Sequence, residues 1–391
     1  MRTSPPQFVR PLNPYNHSLH RCPVSREAAS HRILILRLGS YGDILMATPL
    51  LVALRAAYPD AHITWIVERG FQDAIIACPY LDEVLLWEGS YWKNMLRFGL
   101  YPLWLLRVLK FCGTLRQRHY DIFISLQPEE WPLLTWAVRA PKTIGIFDTF
   151  RRFNNNRPTS KWTRIYTDPF TEADLPPHRT DQYLLALRAL QLPDKSTSDK
   201  RMVLCYTAED AAAAENLLGG SGHTIVLVPL TTWPSRCWPA ERWTELGNAL
   251  GREHQCSVIL IGSEKEKAML EQIAGRMLIK PAIAGGTLTF RQVAALLARA
   301  SLVISGDTGP MHVAAALGTP AVALFGPTSI ANLAPLAGRV LPLAHSVPCG
   351  PCDQKICPNT GNDFMHCLKL LSVSEVRAAA EKCLQEFRKS A

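Results

Sequence analysis

No stretch of the 391-residue chain reaches the roughly 18 uninterrupted apolar residues that a membrane-spanning helix needs. The nearest approach, "FGLYPLWLLRVLKFCG" (98–113), is broken by Pro102, Arg107 and Lys110 and flanked by Lys93, Arg97, Arg116 and Arg118. Such a mixture suits a helix lying in the headgroup layer of a membrane, and equally a buried helix with basic ends. The first thirty residues hold one acid and no apolar centre, which excludes a secretory signal. A disordered tail is expected over 1–30, with an organelle transit peptide or a misassigned start as alternatives. The third glycine of the dinucleotide pattern is missing from the best glycine-rich turn, so bound NAD is not expected. The basic loops come with no nucleic-acid motif, which argues against a nucleic-acid partner. Eleven cysteines without an export signal predict reduced thiols in a cytosolic compartment.

What is present is ample core-forming material: 48% of residues are apolar, and the length suggests two or three domains. The formal charge of +9 is compatible with an acidic or phosphorylated partner, and also with a plain solvated face.

From residue 31 short apolar runs alternate with helical periodicity. "ILILRL" (33–38), "HITWIVE" (62–68), "VLLW" (84–87) and "DIFISL" (121–126) read as strands, and "ILMATPLLVALRAAYP" (44–59) as a helix. This order predicts a parallel sheet covered by helices. The polar, basic stretch 148–168 reads as loop and "DKSTSDK" (194–200) as a linker. The alternation then restarts with "TIVLVPL" (224–230), "CSVILIG" (256–262), "LVISG" (302–306) and "AVALFG" (321–326). The expected architecture is α/β, two facing Rossmann-like domains with parallel sheets. The boundaries are 31–195 for the N-terminal domain and 196–391 for the C-terminal one. The interdomain cleft is the expected site, since ligands in such folds sit beyond the carboxyl ends of the strands.

Three strand-to-helix turns carry candidate chemistry. In "SGDTGPMHVAAALG", Gly306 to Gly309 fall at a strand end and a helix start, where unpaired amides favour a phosphate. Asp307 there would repel phosphate but accept hydrogen bonds from sugar hydroxyls, or would serve only as the helix N-cap. "RLGSYGDILMATP" (37–49) presents Asp43, a candidate general base or again an N-cap. "PLTTWPSRCWPAERW" (229–243) offers Thr231, Thr232 and Arg236, donors suited to a departing diphosphate.

Taken in order, these three segments, together with "CGPCDQKICP" and "HCLKLLSVSEV", resemble glycosyltransferase family 9, the ADP-heptose:lipopolysaccharide heptosyltransferase family, from about Ile33 to the C-terminus. The resemblance implies a GT-B fold with an acceptor-binding N-terminal domain and a nucleotide-sugar-binding C-terminal domain. It implies an inverting, metal-independent transfer of a heptose from ADP-heptose to a lipopolysaccharide core, with no cofactor besides the donor. Another nucleotide-sugar or acceptor, or a silent nucleotide-sugar-binding scaffold, are the alternatives. Asp43 matches the family's base. Asp307 and His312 fall on the donor sugar, and Thr231, Thr232, Arg236, Thr308 and Gly309 on its phosphates. Acceptor contacts are expected from Ser40, Tyr41, Gly42, Arg151 and Arg152. The family often has Lys at Arg236, and Tyr41 is bulkier than usual for its turn. The basic loop with Arg151, Arg152, Arg157, Lys161 and Arg164 would meet an anionic glycolipid acceptor, placing the protein peripherally at the cytoplasmic face of the inner membrane.

Cys349, Cys352, Cys357 and Cys367 form C-x2-C-x4-C-x9-C, a spacing open to a structural metal with His366 as an alternative ligand. A reduced, packed segment over 349–367 is the expectation, followed by a terminal helix.

Overall fold

The computed structural model describes residues 8–9, 31–128, 132–147, 160–193, 197–218 and 223–390. It divides into two compact units, one within His17–Lys200 and the other formed mainly by Arg201–Ala391.

The first unit is a six-stranded parallel sheet: β1 (Arg32–Leu36), β2 (His62–Glu68), β3 (Glu83–Trp87), β4 (Ile122–Ser125), β5 (Lys142–Ile146) and β6 (Asp168–Phe170), in spatial order β3-β2-β1-β4-β5-β6. β1 is central because its Ile33–Leu36 run is apolar on both faces, as a strand covered from two sides must be. Ile33 stands between Ile63 and Ile122. The covering helices are α1 (Tyr41–Ala57), α2 (Gly89–Arg97), α3 (Tyr101–Gln117), α4 (Pro132–Val138) and α5 (Arg179–Ala189). α1 is buried on most of its surface and packs against α5. The expected helix over 98–113 starts only at Tyr101. Gly99 takes φ +73°, a left-handed conformation that ends α2, and Pro102 opens the first turn of α3. Of the expected loop 148–168, residues 148–159 lie outside the described residues. The rest holds a helical turn at Ser160–Thr163 and the start of β6, which pairs with β5.

The second unit repeats the plan with β7 (Thr224–Val228), β8 (Ser257–Gly262), β9 (Ala282–Gly285), β10 (Leu302–Gly306), β11 (Ala321–Leu324) and β12 (Val340–Leu343), all parallel, in order β9-β8-β7-β10-β11-β12. Val226 sits between Ile259 and Val303 at its centre. Its helices include α6 (Ala208–Leu218), α7 (Ala240–Glu253), α8 (Lys267–Gly275), α9 (Phe290–Arg299), α10 (Gly309–Leu317) and α11 (Val373–Ser390). Phe8–Val9 pairs antiparallel with Tyr206–Thr207; the remainder of 1–30 lies outside the described residues.

Both sheets therefore have the doubly wound order in which the first strand lies beside the fourth. The chain winds away from that pair in opposite directions, opening a crevice at its carboxyl end. Among the described residues no helix is long and apolar enough to cross a membrane.

Candidate active site

In the first unit the crevice lies past β1 and β4. β1 hands over to α1 through Arg37–Ser40, and the turn is tied to the end of β4. Leu38 N–H donates to Gln127 Oε1 (2.9 Å), and Arg37 Nη1 donates to the Leu126 carbonyl (3.1 Å). Ser40, not Asp43, is the N-cap of α1. Asp43 is the third helical residue of a capping box, its Oδ2 accepting from Ser40 N–H (3.2 Å) and Ser40 Oγ (3.1 Å). The same oxygen pairs with Arg37 Nη2 at 2.7 Å, while the Asp43 side chain keeps 22% exposure.

Burial alone would push the Asp43 carboxyl up. The charges of Arg37 and Arg179, with the Ser40 bonds, overcome it and hold the group well below the usual carboxylate range. Arg37 lies over the buried Tyr183 ring (5.5 Å to its centroid); burial works to lower its pKa, but the Asp43 charge, Tyr183 and the Asp43 hydrogen bond together raise it. Arg179 reaches this cluster because α5 packs on α1. Neither arginine was expected. The signal for Arg37 was a lone cation at the end of the apolar run "ILIL"; Arg179 gives none, being 142 residues away by difference of number.

Gly42 is buried inside α1 and Tyr41 is committed within the unit. The Tyr41 hydroxyl donates to the Gly70 carbonyl (2.8 Å) and its ring meets Phe71 edge-on (4.9 Å). Burial, and next the Asp73 charge, push its pKa to about 12. The bulk at this position fixes the Arg69–Ala74 turn against α1. Gly39 is required there, since a Cβ would lie 2.4 Å from the Phe71 ring. Arg151, Arg152 and Arg157 lie outside the described residues, and Arg164 is exposed.

In the second unit the equivalent pair is β7 and β10. After β10, Asp307 is 3% exposed, and this corrects two expectations. It is buried rather than open to sugar hydroxyls, and it is not the cap of α10, which is Thr308. Its Oδ2 accepts from Thr328 Oγ1 (2.7 Å) and pairs with Arg236 Nη1 (3.1 Å). Arg236, after β7, also donates to the Asp307 carbonyl (3.3 Å) and lies 3.9 Å over the Trp233 ring. Its Nε is buried without a partner among the described residues. Gly306 lets the two loops touch: a Cβ there would stand 3.1 Å from both the Arg236 carbonyl and Thr231 Cγ2.

Thr308, Gly309 and Pro310 are half-buried, so the first amides of α10 are within reach of a ligand. Thr232 is exposed. The Thr231 hydroxyl is used inside its own loop, donating to the Trp233 carbonyl (2.7 Å) and accepting from Trp233 N–H (3.1 Å). His312, expected on the sugar, is 4% exposed within α10.

Cys349, Cys352, Cys357 and Cys367 line one cavity of about 30 Å3. Cys349 Sγ accepts from Asn359 Nδ2 (3.4 Å), and Cys357 Sγ from Met365 N–H (3.3 Å). Among the described residues no three His, Cys, Asp or Glu side chains stand in an arrangement able to hold a metal ion. The segment is tied to the 231–236 loop. Ser235 Oγ donates to the Gln354 carbonyl (2.5 Å) and Ser235 N–H to that of Lys355 (3.3 Å), one residue from Arg236.

Residues 108–362 match glycosyltransferase family 9 (heptosyltransferase). The chain belongs to that family. This transferase is 27% identical over 360 residues to lipopolysaccharide heptosyltransferase 3 of Escherichia coli K12, covering 90% of this chain and 97% of that one. A family 9 glycosyl transferase from Veillonella parvula superposes with a TM-score of 0.71 at 27% identity, over 91% and 97% of the two chains. The E. coli heptosyltransferase WaaC, solved with ADP-2-deoxy-2-fluoro heptose, shares the fold at 21% identity, with a TM-score of 0.65 over 90% of this chain and 99% of that one. The transferase thus has the GT-B fold expected of it, a doubly wound sheet in each half.

Proposed function

We propose that this transferase moves a heptose from ADP-heptose to the lipopolysaccharide core, with inversion at the anomeric carbon. The observation that carries the donor half is Arg236, braced by buried Asp307 beside the open N-terminus of α10 at the switch point of the second sheet. A cation with spare donors next to helix amides is a diphosphate site. The names of the relatives supply the sugar, the nucleotide and the lipopolysaccharide.

The unit containing Asp43 takes the acceptor and the unit containing Arg236 takes the donor. Every bond described for Asp43 falls on Oδ2, which leaves Oδ1 as the oxygen for the acceptor proton. The acceptor hydroxyl attacks the anomeric carbon opposite ADP and the new C–O bond forms. The bond to the β-phosphate oxygen breaks, and the proton passes to Asp43. A carboxylate held so far below neutrality is a weak base. It takes the proton late, once attack has made the hydroxyl acidic, and is always in the ionised form when needed. Arg236, Thr232 and the Thr308–Gly309 amides meet the charge that grows on ADP. Asp307 acts through Arg236 rather than on the sugar. The acceptor is an anionic glycolipid, met by basic residues of the first unit, and the reaction belongs at the cytoplasmic face of the inner membrane.

Isothermal titration of Asp43→Asn with ADP-heptose and with other nucleotide-sugars tests this reading. Selective ADP-heptose binding with turnover lost supports it; preference for another nucleotide-sugar overturns the sugar, and full turnover overturns the base.

A further inference from the structure

We infer that α2, α3 and α4 together form a docking face for an anionic lipid bilayer, centred on the outward side of α3. The inward side of α3 is accounted for: Val108, Cys112 and Leu115 are buried, with Trp104 and Phe111 packed against the same core. A helix whose other side met only water would carry polar residues there. α3 carries Tyr101, Leu105, Leu106 and Leu109 instead, the last two 62% and 56% exposed, and Phe98 in the α2–α3 turn is 78% exposed. α4, packed beside α3, adds Trp136, 59% exposed, with the Arg116 and Arg139 guanidiniums 5.5 and 5.7 Å from its ring centroid. Clustered apolar groups of this size on a soluble surface mark a contact.

Charge says what makes the contact. Gly89 to Tyr120 contains six Lys and Arg residues and no Asp or Glu. Arg97, Lys110 and Arg116 are exposed around the apolar patch. An apolar strip with a cationic rim and an aromatic at its edge is complementary to acyl chains under anionic headgroups, whereas a protein partner would need matching pockets. The patch has too few residues, and α3 too many cations, to enter the bilayer as a span. The protein would lie on the surface, held by a shallow apolar insertion and by charge. This inference rests on the membrane placement proposed above, which it deepens by naming the face that makes the contact, on residues apart from those assigned to donor and acceptor.

The test is flotation of the full-length protein with vesicles of phosphatidylcholine alone or mixed with phosphatidylglycerol. It compares the native chain with Leu106→Glu/Leu109→Glu and with Arg97→Glu/Lys110→Glu. All four positions are exposed, and a cooperative thermal melt at the native temperature, read without ligand, checks that each variant is folded. Binding of the native chain to the anionic vesicles, weakened at least about tenfold in both variants and by added salt, is expected. No flotation of the native chain, or equal flotation of both variants, overturns the inference. So does a dimer of the native chain that the leucine variant disperses, which would give the face to a second copy. Failure to bind ADP-heptose with flotation intact would sink the transfer reading and leave the docking face standing.

Discussion

At the residue scale, two buried arginines decide what Asp43 can do. Desolvation disfavours its charge and Arg37 and Arg179 restore it, so Asp43 stays ionised through the neutral and mildly acidic range. The native enzyme should therefore show no acid limb in kcat from Asp43 at or above its ordinary value near ~4. In Arg37→Met the ion pair is gone and desolvation is opposed only by the Arg179 charge and the Ser40 bonds. An acid limb should enter the pH–rate profile, displaced upward by roughly 1–3 units; a profile superposable on the native one would show that Arg37 does not hold the carboxylate. The same depression lends stability, because the folded protein releases this proton more readily than the unfolded chain. That contribution is present above the unfolded pKa and is lost as pH falls through the folded one. Asp43→Asn should thus lower the melting temperature at pH 7, and the gap to the native protein should close in strong acid. Its kcat should fall by about 10²–10⁴ with ADP binding retained. Asp43 itself was readable from "GSYGD", but both arginines needed the fold. One lies at a strand end where cations are out of pattern, the other on a distant helix with nothing local to mark it.

At the element scale, the crevice of each unit is a pair of loops brought together by strand order. The Gly306 turn after β10 rests on the 231–236 loop after β7 because those strands are neighbours and because glycine leaves room. In Gly306→Ala the added Cβ meets the Arg236 carbonyl and Thr231 Cγ2 at 3.1 Å, so the loop must shift by a few tenths of an ångström. ADP affinity should fall several-fold while the melting temperature in the absence of ligand changes little, as calorimetry would show. An unchanged affinity would mean that the loop gives without moving the guanidinium. Ser235→Ala removes one of the two bonds between this loop and the cysteine-rich segment, leaving the Ser235 N–H bond to Lys355, and should weaken ADP binding in the same direction. The expected N-cap roles of the two acids fail for a local reason. In each turn the cap falls to a hydroxyl residue, Ser40 or Thr308; Asp43 joins the α1 capping box from the third position, and Asp307 turns to Arg236 and Thr328 on other loops.

At the scale of the whole molecule, the two units have the same strand order, and the proposed donor site belongs to the second. ADP should protect the backbone amides of Thr231–Arg236 and of the first turn of α10 from hydrogen exchange, and leave those of β1 and α1 unchanged. Protection spread equally over both units would contradict a donor site confined to the second. Ligand at about a hundred times its Kd should stabilise the folded protein by ~2.7 kcal/mol, visible as a rise in melting temperature.

The sequence by itself determined the class of fold, since apolar runs such as "ILIL" and "TIVLV" alternating with helical periodicity admit little but parallel sheets under helices. It also marked the turns that carry the chemistry, because glycine, acid and hydroxyl at a strand end stand out against an apolar background. The short edge strands Asp168–Phe170, Ala282–Gly285 and Val340–Leu343 were not legible. Their strand state is set by pairing with a neighbour, not by any periodicity of their own. The partners of the acids were decided only by tertiary structure. Arg37 meets Asp43 across the turn that follows β1, while Arg179 at Asp43, and Arg236 with Thr328 at Asp307, come from parts of the chain far away. An ion pair depends on distance in space, which the order of residues does not contain.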